Sequence, residues 1–500
     1  MALDLETYRR RMEGFSEALS RESYEGRAGL KERVSYAAVY EAYADLFTRE
    51  AVDALSSAVQ SAEGRESGHR LKLLLESVTL AYISNRTRKL REDAENFEAA
   101  AEVKLPGGEK LPYRASAVRM LNEPDRETRR RLEDARGAVV LKKNEFLEPI
   151  HRDLHALAGE LGYGSYLDML GTIKSYPLEP VRDAMRAFLE ATETLYAREM
   201  GAALEGIGTK LDEAARHDAA YLFRGGGFDA LFPPDGIAGA VAASVKRMGL
   251  DLSADGRITL DLEARPTKSP RAFCATLRVP DEVILVVLPR GGMDDYHAFL
   301  HELGHALHFA WVRPDAPFEY RLLGDNSVTE GFAMLFDHLL LNGRWLREAL
   351  GIVDTQKLLR HQHLYELYML RRYAAKIDYE LTLHESAGLS GKGEVYAEKL
   401  GRANRIRYAP SHYLEDVDAH FYCANYLRAW MLQAALAEAL TERFGETWFH
   451  DPRAGALLKE IWADGQKDNA EGILARLIGE GGRPLSPDPL RGAIERHLDG

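Results

Sequence analysis

Cysteine is nearly absent from this chain: Cys274 and Cys423 are the only two among 500 residues. Two thiols cannot build a disulfide framework, and so low a count fits a reducing compartment. No stretch of 18 consecutive apolar residues occurs, so no membrane-spanning helix and no membrane partner are expected. The opening residues, Met1 to Phe15, lack the apolar core of a secretory signal, and the expected location is cytoplasmic. Basic charge is in deficit, with 65 Lys and Arg against 78 Asp and Glu, a net of −13. A nucleic-acid partner would call for a basic patch, so none is expected. What the chain does have is 46% hydrophobic and 29% charged residues, a globular composition with ample material for a core.

Most of the chain carries a helical pattern. Leu30 to Gln60, Leu71 to Ile83, Ala115 to Leu157 and Val181 to Leu204 place apolar residues at helical spacing. Breaks are expected at Pro106-Gly107-Gly108, at Leu161 to Tyr166, at Pro177 and Pro180, and from Gly225 to Pro234. The period changes between 257 and 288. Ile258, Leu260 and Leu262 alternate with polar residues, and Ala272 to Val279 and Val283 to Leu288 read as two further strands. Gly291-Gly292 closes the strands, and Asp294 or Asp295 is placed to cap the next helix. The expected fold is mainly α with one small sheet, divided into an N-terminal lobe (1–180) and a C-terminal lobe that carries the chemistry (181–500).

That chemistry is written at His301-Glu302-Leu303-Gly304-His305. Residues four apart share a helix face, so both histidines can grip one ion while Glu302 projects beside them. Three specified residues match by chance in roughly one chain in thirty of this length, so context matters. Tyr296, Phe299, Leu300, Leu303, Leu307 and Trp311 supply an apolar anchor for a rigid helix. Catalytic zinc takes three protein ligands and keeps an open position. The third ligand should be a downstream carboxylate: Glu330, which opens an apolar helical run, or the nearer Glu319 in a polar stretch. A metal-bound histidine also needs a partner for its other nitrogen, and Asp337, two turns beyond Glu330, is placed to serve. His297 and His308 continue the histidine stripe and read as a polar helix face lining a cleft.

Arg271-Ala272-Phe273-Cys274, the two strands, Asp295 and the His301-to-His308 segment together resemble the thimet oligopeptidase and oligopeptidase F family of zinc peptidases. The resemblance implies one zinc ion held by His301, His305 and Glu330, with Asp337 beside them. It implies two helical lobes around a deep substrate cleft, with the small sheet next to the zinc helix. Short unstructured peptides are the implied substrates, and a zinc-bound water activated by Glu302 is the implied nucleophile. Asp418 to Tyr426 resembles a later segment of the same family, which implies transition-state roles for His420, Tyr422 and Tyr426. On a regular helix His420 stands about 200° from Tyr422, so the three can act together only if the helix begins near 422. His412 and Tyr413 are the reserve candidates.

Two other readings stand beside this one. The carboxypeptidase Taq family is helical, has about this length and carries the same histidine motif, although its His-Pro-Phe-Thr and Glu-Ser-Gln-Ser-Arg motifs are absent. A carboxypeptidase needs a cation for the substrate's terminal carboxylate, and Arg402, Arg405 and Arg407 are candidates. A peptide-binding pseudoenzyme is the reading from another class.

Overall fold

The computed structural model describes residues 3–105, 107–479 and 484–499. Their secondary structure is mainly helical. The chain forms two compact units and passes between them repeatedly. Met1–Thr79, Gly227–Leu359 and Arg428–Leu490 form the first; Leu80–Gly226, Arg360–Leu427 and Arg491–Gly500 form the second. The sequence reading places a single division at 180, whereas the compact units separate at five places along the chain. The helices Arg65–Ala100, Gln356–Leu383 and Tyr422–Phe444 each contain one of these boundaries. Among the described residues no helix is long and apolar enough to cross a membrane.

The first unit holds the expected sheet. Strands β3 (Ile258–Asp261), β4 (Phe273–Arg278) and β5 (Glu282–Val286) lie in the order β3-β5-β4. β3 pairs with β5 in parallel, Leu260 opposite Leu285, and β4 pairs with β5 antiparallel, Cys274 opposite Leu285. Central β5 is buried over Val283 to Val286, which is why its sequence is apolar throughout. The helix Met293–Ala310 packs on this sheet and against the helix Asn326–Asp337. Val283 and Leu285 of β5, Phe299, Leu300, Leu303 and Leu307 of the first helix, and Phe332 and Leu335 of the second share one buried cluster. That cluster is the apolar anchor expected from the sequence.

The second unit is built on the helices Arg126–Glu160, Leu178–Ala191, Glu193–Glu205 and Lys392–Asn404. A small hairpin, β1 (Glu102–Lys104) and β2 (Lys110–Pro112), stands where the sequence shows its first break. Pro106 lies outside the described residues, and Gly107 and Gly108 take positive φ in the turn. Two continuous helical readings prove to be pairs. Ala115 to Leu157 is split at Pro124, where Asp125 caps the second helix through the Thr128 N–H. Val181 to Leu204 is split at Thr192, whose backbone leaves the helical region. The buried Arg371 donates there to Leu189 O and Thr192 Oγ1, each at 2.8 Å. That break is a tertiary effect, without glycine or proline to announce it.

Candidate metal centre

Gly292, not Asp294 or Asp295, is the N-cap of the helix Met293–Ala310. Asp295 instead reaches back, and its Oδ2 accepts from the backbone N–H groups of Arg290 and Gly291. Gly291 and Gly292 both take positive φ, and a Cβ on Gly291 would stand 2.8 Å from Pro234 Cδ. The turn thus fixes where the helix starts and where its histidines fall.

The helix is held close to its neighbour at Gly304. A Cβ there would lie 2.5 Å from Ala333 Cα and 2.7 Å from Phe332 O. Only a glycine lets the two helices approach this far, and the approach brings Glu330 to the histidines. Glu330 Oε2 stands 3.3 Å from His301 Nε2 and 3.7 Å from His305 Nε2. Two donors on one tetrahedral zinc stand about 3.3 Å apart, given bonds of about 2.0–2.1 Å. One ligand atom from each of His301, His305 and Glu330 lies within 4.8 Å of the others.

The outer nitrogens are fastened as well. His301 Nδ1 donates to Asp337 Oδ2 at 2.8 Å, and His305 Nδ1 shares a hydrogen bond with Thr329 Oγ1 at 2.8 Å. Both bonds turn Nε2 inwards, towards Glu330, as the outer partners of metal-binding histidines do. Asp337 is also approached by His297 Nε2 at 3.6 Å and bonded by His338 Nδ1. Burial opposes its ionisation, yet these histidines hold its carboxyl below the usual range. Burial alone would lower His301, but Asp337 and Glu330 raise it well above the ordinary imidazole value. The donor set, two imidazoles and one carboxylate with braced outer nitrogens, fits a zinc ion.

Glu302 is steadied from the sheet. The amide of Cys274 on edge strand β4 donates to Glu302 Oε2 at 2.8 Å. Burial raises the Glu302 carboxyl above its usual value, and the His301 charge and the Cys274 N–H offset part of that rise. The carboxylate is therefore biased towards taking up a proton.

Glu319, the nearer carboxylate, is accounted for otherwise. It is fully buried and paired with Arg9 at 2.6 Å and Arg70 at 3.1 Å. His308 departs from the expected polar face: it is buried, with its ring against Phe309 and Phe332. His297 is about half exposed. The sequence reading missed Thr329, although its position one residue before Glu330 was a usable signal. It also missed the Cys274 amide, which carries no side-chain signal.

His420, Tyr422 and Tyr426 belong to the second unit. A helix begins at Tyr422, and His420 precedes it with φ 55° and ψ 33°. Tyr422 and Tyr426 meet edge to face at 5.0 Å, and Tyr426 meets Tyr373 at 5.7 Å. The hydroxyl of buried Tyr166 and His420 Nδ1 share a hydrogen bond of 2.8 Å. Burial lowers His420 to about 3, so the ring is neutral near pH 7. The reserve pair is engaged within the same unit: His412 Nδ1 donates to Glu415 at 2.8 Å, and the Tyr413 hydroxyl to Glu148 at 3.0 Å. Arg402 and Arg405 line a cavity of about 680 Å³ in this unit. Arg405 pairs with Glu193 at 3.2 Å, and Arg407 donates to Glu213 O at 2.6 Å.

No family model and no curated protein matches the chain. Solved structures do match it. A provisionally assigned oligoendopeptidase F shares the fold at a TM-score of 0.72 and 16% identity, over 98% of this chain and 91% of that one. PZ peptidase A, solved with an inhibitor, matches at 0.67 and 16%, over 93% and 87%. The M32 carboxypeptidase from Deinococcus radiodurans R1 matches at 0.63 and 16%, over 99% and 98%. At these identities the likeness is one of fold.

Proposed function

We propose that the chain is a zinc-dependent oligoendopeptidase acting on short unstructured peptides. The observation that carries this is the convergence of His301, His305 and Glu330 beside Glu302, on a fold shared with peptidases. A zinc ion held by those three residues would supply Lewis acidity and lower the pKa of a coordinated water towards about 7. Glu302 accepts a proton at its carboxylate and returns it to the leaving amine, with the Cys274 N–H holding one oxygen still. Asp337 and Thr329 keep the histidine rings in the ligating orientation. His420 and the hydroxyls of Tyr422 and Tyr426 are assigned to the charge that develops on the substrate carbonyl oxygen.

The second reading is a metallocarboxypeptidase. It is favoured by near end-to-end coverage of a carboxypeptidase of the same fold, with Arg402 as the candidate for a terminal carboxylate. The two readings separate on the products from one unstructured ten-residue peptide, followed by mass spectrometry with the C-terminus free or amidated. Internal cuts indifferent to amidation support the endopeptidase. Stepwise loss of C-terminal residues, blocked by amidation, supports the carboxypeptidase. No chelator-sensitive cleavage of either peptide leaves a pseudoenzyme.

A further inference from the structure

A second cluster of metal-ligating side chains lies in the second unit, with no role in the reaction proposed above. His151 and His155 stand four residues apart on one face of the helix Arg126–Glu160, and His384 follows the helix Gln356–Leu383. One ligand atom from each lies within 4.8 Å of the others. The ring centres are 4.8, 5.0 and 5.6 Å apart. We infer that His151, His155 and His384 form a second metal site that takes a divalent first-row transition-metal ion through three imidazole nitrogens.

Two contacts carry this beyond proximity. His384 Nδ1 and His155 Nε2 stand 3.4 Å apart, long for a hydrogen bond between ring nitrogens. It is close to the separation, about 3.3 Å, of two nitrogens on one tetrahedral zinc. His151 Nε2 stands 3.3 Å from Ser386 O, and a carbonyl can only accept, so this nitrogen carries the proton. Nδ1 is left with the lone pair, and the carbonyl contact is the kind that orients ligating histidines.

The donor set selects the class of ion. Three imidazoles without a carboxylate suit zinc or copper and exclude the oxygen-seeking magnesium and calcium. His151 and His384 line a cavity of about 180 Å³, roomy enough for a water to complete the shell. An ion here would fasten the C-terminal third of one long helix to the end of another. The ring of His384 lies 5.4 Å from that of Phe421. Phe421 and His420 both take positive φ immediately before the helix of Tyr422 and Tyr426. The ion would therefore also brace that turn.

The test is zinc content after equilibrium dialysis of the full chain, read by elemental mass spectrometry. Folding of each variant is checked by circular dichroism. His155 is only partly buried, so His155→Ala is the mild variant. Two zinc ions in the wild type, falling to one in His155→Ala and to one in His305→Ala, are expected. A single ion lost in His305→Ala and kept in His155→Ala overturns this inference and leaves the proposed function standing. Two ions retained in His155→Ala also overturn it. A single ion lost only in His155→Ala supports the inference and removes the metal from the proposed function. A second measurement does not depend on His155→Ala folding. Cu²⁺ bound to the His301→Ala/His305→Ala protein should show electron-spin-resonance splitting from several nitrogens, and an oxygen-only spectrum overturns the site.

Discussion

Asp337 Oδ2 accepts a hydrogen bond from His301 Nδ1 at 2.8 Å, across two helices and 36 positions of sequence. The bond fixes which nitrogen of His301 faces Glu330. Asp337→Asn removes the charge and can present its NH₂ to the ring, which releases that constraint. Zinc affinity should fall about 10- to 100-fold. Competition with a chromophoric chelator measures it, and unchanged affinity would refute the bracing role.

Gly304→Ala tests whether close helix approach holds the site together. Helix propensity favours alanine by about 1 kcal/mol. The added Cβ meets backbone atoms of Phe332 and Ala333, which cannot swing aside as a side chain can. Overpacking at about 1–3 kcal/mol should win, and the variant should be less stable to urea and bind zinc more weakly. A more stable variant with intact zinc binding would show that the helices have slack.

Glu302→Gln keeps the shape of the side chain and loses its capacity to take a proton. The variant should hold zinc as the wild type does and lose most turnover. Wild-type-like activity would eliminate Glu302 as the base.

Tyr426→Phe separates a transition-state donor from a core aromatic. One preorganised donor is typically worth about 3–4 kcal/mol in the transition state. A fall in kcat much larger than any change in KM is expected. A change in KM alone would make Tyr426 a binding group. Unchanged kinetics would leave it as the packing partner of Tyr422 and Tyr373.

Acid stability should report on Glu415. Burial opposes its ionisation, but His412, Lys143 and the Tyr113 hydroxyl lower its carboxyl to about 2, against an ordinary value of 4.5. A carboxyl lowered on folding stabilises the protein fully above pH 4.5 and loses that contribution as pH falls towards about 2. With one-fifth of the side chain exposed, the contribution is on the order of 2 kcal/mol. Glu415→Gln should therefore be less stable than the wild type at pH 7 and close to it near pH 2. Urea unfolding at both pH values decides this; a gap that stays constant would assign the effect to packing.

Periodicity and a short motif made much of this protein legible in sequence. The three strands, the helix of His301 and His305 and the Glu330 helix were all visible, because apolar spacing and glycine pairs act locally. The same patterns could not divide Val181 to Leu204, since Arg371, far along the chain, makes the break at Thr192. His308 lies on the same stripe as His301 and His305, yet it is buried in the core. Spacing gives the face of a helix, and only its neighbours decide whether that face meets a metal, solvent or packed rings.

What the sequence determined by itself is the chemistry on offer: two imidazoles on one helix face, an acid beside them and another acid on a later helix. What the tertiary structure decided is which atoms meet. Gly304 lets two helices close to backbone contact, and the Cys274 amide finds Glu302. His384 arrives beside His151 and His155, some 230 residues earlier in the chain. Such meetings depend on packing between distant segments, where each contact is fixed by the volume and direction of its neighbours, and no local pattern records them.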